Sequence, residues 1–351
     1  MRHIKRELKI GNTAIGGNNP VLVQSMLNVK SGDVAGNVQQ AVELEKAGCQ
    51  IVRVSVPTVD DVRLVEAIKN KISIPLVADI HFDYKVALAC ADAGIDKIRI
   101  NPGNIGDDEK VKAVVKACSA KNIPIRIGVN AGSLEKNILA KYGKPSPEAL
   151  CESAMYHIGL LERYDFNDIA VSIKSSNVKN MIEAYTLLDT KCDYPLHLGV
   201  TEAGTYRMGI IKSAMGIGSL LMNGIGDTIR VSLTDSPVKE IDAGFDILRA
   251  AGHKVSGPEI ISCPTCGRTN LDIAGIANQV EAGLKGINKN IKVAVMGCVV
   301  NGPGEAREAD IGIACGADNA AMFKKGVKIK TYSGNFVEEF IEDIKICAEE
   351  L

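Results

Sequence analysis

Tryptophan is absent from the 351 residues, and all aromatics together make up only 4%. Val, Ile, Ala and Leu must therefore fill the interior, as in α/β proteins whose parallel strands are buried on both faces. Neither sign of charge dominates: Lys+Arg is 41 against Asp+Glu 42. No global field points to nucleic acid or to an anionic membrane, and neither is expected as a partner. There is no apolar run of roughly 18 residues, the minimum for a membrane-spanning helix. The charged opening Met1-Arg2-His3-Ile4-Lys5-Arg6-Glu7 lacks the apolar stretch of a signal peptide, so a cytoplasmic location is expected. Ten cysteines are present, but without a disulfide framework, which suits a reducing compartment. Seven of them (Cys49, Cys90, Cys118, Cys151, Cys192, Cys315 and Cys347) stand alone and read as small buried apolar residues.

What is present is a repeated sentence of strand, turn and amphipathic helix. Eight β-branched runs read as strands: Val21–Met26, Gln50–Val56, Ile74–Ile80, Lys97–Asn101, Pro124–Asn130, Asp168–Lys174, Leu196–Thr201 and Thr228–Leu233. Helical patterns such as Val34–Ala47 lie between them and close on glycine, as in Ala47-Gly48 and Ala93-Gly94. Eight such units over about 250 residues predict an α/β fold, a (β/α)8 TIM barrel. No Gly-rich dinucleotide fingerprint follows the first strand, which disfavours an open doubly wound sheet. The pattern changes at His253–Pro258, where Gly and Pro mark a linker. Two domains are expected: a barrel over 1–255 and a small α+β domain over 259–351.

Five barrel strands each carry one cation inside an apolar run: Arg53, Arg99, Arg126, Lys174 and Arg230. Charge in a buried strand is costly unless it is paired. Strand ends converge on the barrel mouth, and guanidinium groups grip phosphate oxygens with two parallel hydrogen bonds. The pattern predicts a phosphate or diphosphate substrate. The bland alternative pairs each cation with an acid such as Asp79, Glu202 or Asp227. Asn101, Asn130, Ser172, Thr201 and Ser232 accompany the cations, and Asp79, His81, His197 and Glu202 are candidates for acid–base work.

The second domain holds Cys263-Pro264-Thr265-Cys266-Gly267-Arg268 and then Gly297-Cys298-Val299-Val300-Asn301-Gly302-Pro303-Gly304-Glu305. Three thiolates with a weaker fourth ligand suit an iron–sulfur cluster that does chemistry at one iron. A zinc ribbon normally has two such knuckles. Here the partner is a lone Gly-Cys, with Glu305 or Cys315 available as fourth ligand. Two rival functions remain open at this point. One is an aldolase or lyase barrel with a structural zinc module, in which Lys174 forms a Schiff base. The other is a non-enzymatic iron–sulfur carrier, in which the barrel cations have no task.

Eight motifs follow one another in order: Val-Gln-Ser-Met (23–26), Ile-Val-Arg-Val (51–54), Asp-Ile-His-Phe (79–82), Ile-Arg-Ile-Asn-Pro-Gly-Asn-Ile-Gly (98–106), Arg-Ile-Gly-Val-Asn-Ala-Gly-Ser-Leu (126–134), Leu-Gly-Val-Thr-Glu-Ala-Gly (198–204), Ser-Cys-Pro-Thr-Cys-Gly-Arg-Thr (262–269) and Met-Gly-Cys-Val-Val-Asn-Gly-Pro-Gly-Glu (296–305). Together they resemble the 4-hydroxy-3-methylbut-2-enyl diphosphate synthase family of the non-mevalonate isoprenoid pathway. The resemblance implies a barrel plus a cluster domain like the sulfite-reductase modules, and a [4Fe-4S] cluster on Cys263, Cys266, Cys298 and Glu305. It implies reductive opening of 2-C-methyl-D-erythritol 2,4-cyclodiphosphate, with two electrons from flavodoxin or ferredoxin. It assigns diphosphate contacts to Arg53, Arg99, Arg126, Lys174 and Arg230, and adds Asn101, Asn130, Thr201, Ser232 and Glu202 near the reacting carbons. It also implies a head-to-tail homodimer in which each cluster domain caps the partner's barrel. Leu27 departs from the family, which commonly has threonine after Ser-Met. The large insertion of the plant-type members is absent, as in the compact bacterial form.

Overall fold

The computed structural model describes residues 2–298, 304 and 306–351. The chain divides into two units, Met1–His253 and Lys254–Leu351.

In the first unit, eight parallel strands run β3 (Leu22–Met26), β4 (Ile51–Ser55), β5 (Leu76–Asp79), β6 (Lys97–Ile100), β7 (Ile125–Asn130), β8 (Ile169–Lys174), β9 (His197–Leu198) and β10 (Thr228–Ile229). They follow a hairpin of β1 (Leu8–Ile10) and β2 (Thr13–Ile15). The sheet order β8-β7-β6-β5-β4-β3-β10-β9 leaves β8 and β9 at its two edges. A parallel bridge between Val171 and Leu196 joins those edges and closes the barrel. The expected (β/α)8 architecture is borne out, with the last two strands shorter than their sequence patterns suggest.

Successive residues of a strand face opposite sides. Val52 and Val54, Ile98 and Ile100, and Ile125 and Ile127 are all buried, on the face opposite Arg53, Arg99 and Arg126. The apolar residues thus pack under the helices, and the cations point into the barrel. Polar caps start the helices that intervene: Asp33 accepts from Gly36 N at 2.9 Å and Asp107 from Lys110 N at 3.1 Å.

Sequence reading missed the hairpin, whose three-residue strands are too short to show a period. Leu8, Ile10 and Ile15 form one apolar cluster with Leu22, Ile51, Val77 and Ala170. Those last four lie at or near the beginnings of β3, β4, β5 and β8. The hairpin therefore stoppers the amino-terminal end of the barrel and gives its interior a dry floor.

The second unit is a mixed five-stranded sheet in the order β11 (Pro258–Ser262), β12 (Ile291–Met296), β13 (Ile311–Cys315), β14 (Asn319–Lys324) and β15 (Val327–Ser333). β11, β12 and β13 are parallel, and β13, β14 and β15 are antiparallel. Helices Ile273–Gly283 and Val337–Glu349 pack on it through Ile273, Ile276, Val280, Phe340 and Ile344. β14 was the strand not anticipated. Of the seven lone cysteines, six are buried and Cys192 is half-buried.

Ile10 is fully buried in the stopper. Ile10→Ala is expected to cost about 2–5 kcal/mol through lost burial and a residual cavity. Urea unfolding followed separately in the two units should show the loss in the barrel transition only.

Candidate functional site

The barrel mouth is built on a shared carboxylate. Arg53 Nη2 meets Asp79 Oδ2 at 2.5 Å, and Arg99 Nη1 meets Asp79 Oδ1 at 3.1 Å. The strand register makes this possible by placing Asp79 beside Arg99, with Ser55 on its other side. Burial opposes ionisation of Asp79, but the charges of Arg53 and Arg99, followed by His81, hold its carboxyl well below the usual carboxylate range. Burial pulls the Arg53 guanidinium down to about 10. Arg99 also donates from Nη2 to the Gly128 carbonyl at 3.0 Å, and a Cβ at Gly128 would overlap its guanidinium.

Arg230 has its own acid. Glu240, buried on helix Pro237–Ala250, receives Arg230 Nε at 3.2 Å and Nη2 at 3.3 Å. Glu240 also accepts from Leu233 N at 3.1 Å and Ser25 Oγ at 2.9 Å, which ties the loop after β10 to the barrel. Sequence reading had no signal for this pairing, because Glu240 reads as one more acid in a helix. Asp227, one of the acids considered there, instead binds Arg2 at 2.5 Å.

Among the described residues Arg126 and Lys174 have no acid partner. Arg126 is fully buried, and none of its three guanidinium nitrogens has a hydrogen-bond partner among the described residues. Burial, followed by the charges of Arg53 and Arg99, pushes it well below the ordinary guanidinium value. Lys174 is pushed down in the same way by burial and by the four guanidiniums of Arg53, Arg126, Arg230 and Arg99. The bland alternative thus holds for three of the five cations and fails for two.

A mouth cavity of 630 Å³ is lined by Arg53, His81, Arg99, Asn130, Lys174, Thr201 and Glu202. The loop Ala131–Ser133 and Ser176 also line it, and sequence reading had not singled them out. Arg126 lies outside the lining, as do Arg230, Asn101 and Ser232. Asn101 is buried with an unpartnered Oδ1, and Ser232 is half-buried on the loop beyond β10. Glu202 is exposed and sits at φ 51, a left-handed conformation that a non-glycine residue adopts at a cost. His81 Nε2 is 3.8 Å from Asp79. His197 is buried below, shares a 2.8 Å hydrogen bond with Thr228, and is held neutral by burial and by Arg126 and Lys97.

In the second unit, Cys263 follows the end of β11 and Cys298 lies just past the end of β12. These strands are parallel neighbours in register, Ser262 opposite Val295, so both cysteines emerge at one edge of the sheet. With Cys266 they line a cavity of 330 Å³, together with Pro264, Arg268 and Thr269. Gly297 N donates to Cys263 Sγ at 3.1 Å, and a Cβ at Gly297 would come within 2.9 Å of that sulfur. Thr265 turns at φ 56, bringing Cys266 round. The backbone N–H of Arg268, followed by its side chain, lowers the Cys266 thiol below its ordinary value, toward the thiolate that binds metal. Cys315 is buried in the core, and burial pushes its thiol up to about 11. Among the described residues no three His, Cys, Asp or Glu side chains already converge at metal-binding distance. Glu305 lies outside the described residues. Three thiols in one cavity, one of them lowered toward thiolate and another accepting a backbone N–H, fit an iron–sulfur cluster.

A closed parallel barrel with an uncompensated cationic mouth, followed by a thiol-lined α+β unit, defines a two-domain enzyme that binds an anionic substrate. The comparisons place it more closely. Residues 5–245 match the GcpE TIM-barrel domain and residues 259–346 the GcpE protein C-terminal domain, so the chain belongs to the GcpE family. A relative from Fusobacterium nucleatum subsp. nucleatum, 4-hydroxy-3-methylbut-2-en-1-yl diphosphate synthase (flavodoxin), is 58% identical over 97% of this chain and 96% of its own. One of the same description from Caldanaerobacter subterraneus subsp. tengcongensis is 56% identical over 100% of this chain and 99% of its own. The resemblance carried by the motifs is borne out. Among solved structures, a Xanthomonas albilineans dihydropteroate synthase aligns with TM-score 0.51 at 14% identity, over 70% of this chain and 97% of its own. That likeness shows the barrel fold alone. No helix among the described residues is long and apolar enough to cross a membrane.

Gly128→Ala should leave the chain folded but displace Arg99 from Asp79. Affinity for a diphosphate ligand, measured by calorimetry, is expected to fall about tenfold or more once Arg99 is displaced.

Proposed function

We infer that this chain catalyses the reductive ring opening and dehydroxylation of 2-C-methyl-D-erythritol 2,4-cyclodiphosphate to 4-hydroxy-3-methylbut-2-enyl diphosphate, a step of isoprenoid precursor synthesis. The reaction consumes two electrons and a proton and releases water. One observation carries it beyond family membership: a buried, acid-deficient set of cations at a barrel mouth, in one chain with a cavity lined by three thiols.

Arg53, Arg99, Arg126, Lys174 and Arg230 bind the diphosphate, and Asp79 and Glu240 hold three of them in place before the substrate arrives. As the ring opens, negative charge grows on the departing diphosphate oxygen. The cations already stand where that charge appears, so little reorganisation is needed. Asn101, Asn130, Thr201 and Ser232 orient the hydroxylated carbons by hydrogen bonds. Glu202, exposed beside the cavity, is the proton donor.

Cys263, Cys266 and Cys298 hold a [4Fe-4S] cluster, with Glu305 as fourth ligand. When bound, that cluster supplies single electrons to the substrate. Flavodoxin, named in the relatives' descriptions, is the donor of choice, with ferredoxin the alternative. The chain works in the cytoplasm as a head-to-tail homodimer, each cluster unit serving the barrel of its partner.

Anaerobically purified protein should be brown, with about four irons per chain. Cys298→Ala should lose the visible absorption and the activity. A colourless protein containing zinc would reject the cluster. Mixing inactive Arg126→Ala chains with inactive Cys298→Ala chains should restore activity if barrel and cluster come from different chains. Absence of rescue counts against the shared site.

A further inference from the structure

The barrel holds a sixth basic side chain. Lys97 opens β6 two residues before Arg99 and faces the same side, into the barrel. It is 0% exposed, and its Nζ has no hydrogen-bond partner among the described residues. Its cross-strand neighbour Val77 belongs to the apolar floor made with the β1–β2 stopper. On the Val77 side it meets hydrocarbon, and the charges that bear on its amine are those of Arg126 and Arg53. In the same interior Arg126 has three unpartnered nitrogens, and Gln24, buried on β3, has an unpartnered Oε1 and Nε2. The charged and titratable groups of the barrel interior are Arg53 on β4, Asp79 on β5, Arg99 on β6, Arg126 on β7, Lys174 on β8, His197 on β9 and Tyr185 on helix Val178–Asp189, and of these Arg126, Arg53 and His197 interact with Lys97. Asp79 is already committed to Arg53 and Arg99.

We propose that Lys97 is the floor of the diphosphate site, a positioning residue whose amine takes up a proton when the diphosphate anion binds above Arg126. The proposal rests on the diphosphate site read above. An empty cup gives the ammonium no counter-charge. Burial, Arg126 and Arg53 all oppose the charged form, so the amine is held well below its ordinary value. A bound diphosphate brings two negative charges to Arg126, offsets the repulsion from the guanidiniums and gives the buried ammonium a counter-charge. The neutral amine gains one proton from solvent, with no bond made or broken elsewhere. The ammonium then supports Arg126 from below while the ligand neutralises it from above.

The test uses the full chain and dimethyl diphosphate with one methyl on each phosphorus, a diester whose own charges do not titrate near neutrality. Its binding is measured by calorimetry in two buffers of different ionisation heat. Lys174 is lowered in the same way, so the readout is a difference in proton uptake between wild type and variant. Lys97→Met should melt no lower than the wild type, because it removes a buried unpaired amine. It should take up about one proton fewer per ligand bound than the wild type and bind about tenfold more weakly. His197→Gln should keep the uptake. Buffer-independent heats in the wild type, or equal uptake in Lys97→Met, overturn the proposal and leave the diphosphate site standing. Loss of uptake in His197→Gln also overturns it, and that arm does not require the Lys97 variant to fold. A wild type that fails to bind the diester at all removes the diphosphate site itself.

Discussion

Positive charge held in a dry barrel without enough acid to balance it is the constraint on which the rest depends. Two unit charges 4 Å apart interact by about 4 kcal/mol at an effective dielectric of 20, so the balance of pairs matters more than any single contact. Asp79 serves Arg53 and Arg99, Glu240 serves Arg230, and Arg126, Lys174 and Lys97 have neither. An interior of this kind is destabilised when empty and relieved when an anion enters. Binding energy is thereby concentrated on the charge of the ligand. Anything that binds the folded chain this way stabilises it by mass action. The surrounding architecture is what makes such an interior possible: closure through Val171 and Leu196, and the apolar stopper of β1 and β2, keep water from entering below.

The two units apply one rule of placement to two chemistries. In the barrel, reactive side chains gather at the carboxyl ends of parallel strands. In the second unit, Cys263 and Cys298 leave the carboxyl ends of the parallel neighbours β11 and β12. Parallel pairing brings equivalent ends together without any dedicated long-range contact. The barrel then fixes its groups by ion pairs across strands. The thiols instead meet backbone N–H groups: Gly297 N donates to Cys263 Sγ, and that of Arg268 favours Cys266 in its thiolate form.

Much of this was legible in the sequence, and the reasons for success and failure are physical. Barrel strands announce themselves because burial on both faces demands β-branched runs, and a lone Arg in such a run stands out against it. The cysteine knuckle stands out because Pro-Thr between two cysteines forces a tight turn. Lys97 escaped notice because it stands at the head of its strand, where a lysine reads as a solvated end, yet the stopper beneath buries it completely. Glu240 escaped because a partner ten residues distant on the following helix leaves no local mark. β14 escaped because Asn-Ala-Ala-Met-Phe-Lys has neither strand period nor β-branching, and its pairing with β13 and β15 imposes the strand.

The excess of cations over acids is matched to the change of charge in the reaction. A cyclic diphosphate carries two charges, whereas an open diphosphate monoester carries a third. A cup balanced for the substrate would meet that third charge unprepared, just as the carbon–oxygen bond breaks. A cup with surplus cations is balanced for the state in which the charge has formed, so its complementarity is to the transition state and not to the ground state. The same surplus explains why the acids present are few and placed behind the cations. Asp79 and Glu240 fix geometry without cancelling the field at the front of the cavity. Glu202, the one carboxylate among the described residues that line the cavity, stands exposed in a left-handed conformation. In the proposed reaction that position lets it draw a proton from solvent without neutralising the barrel cations.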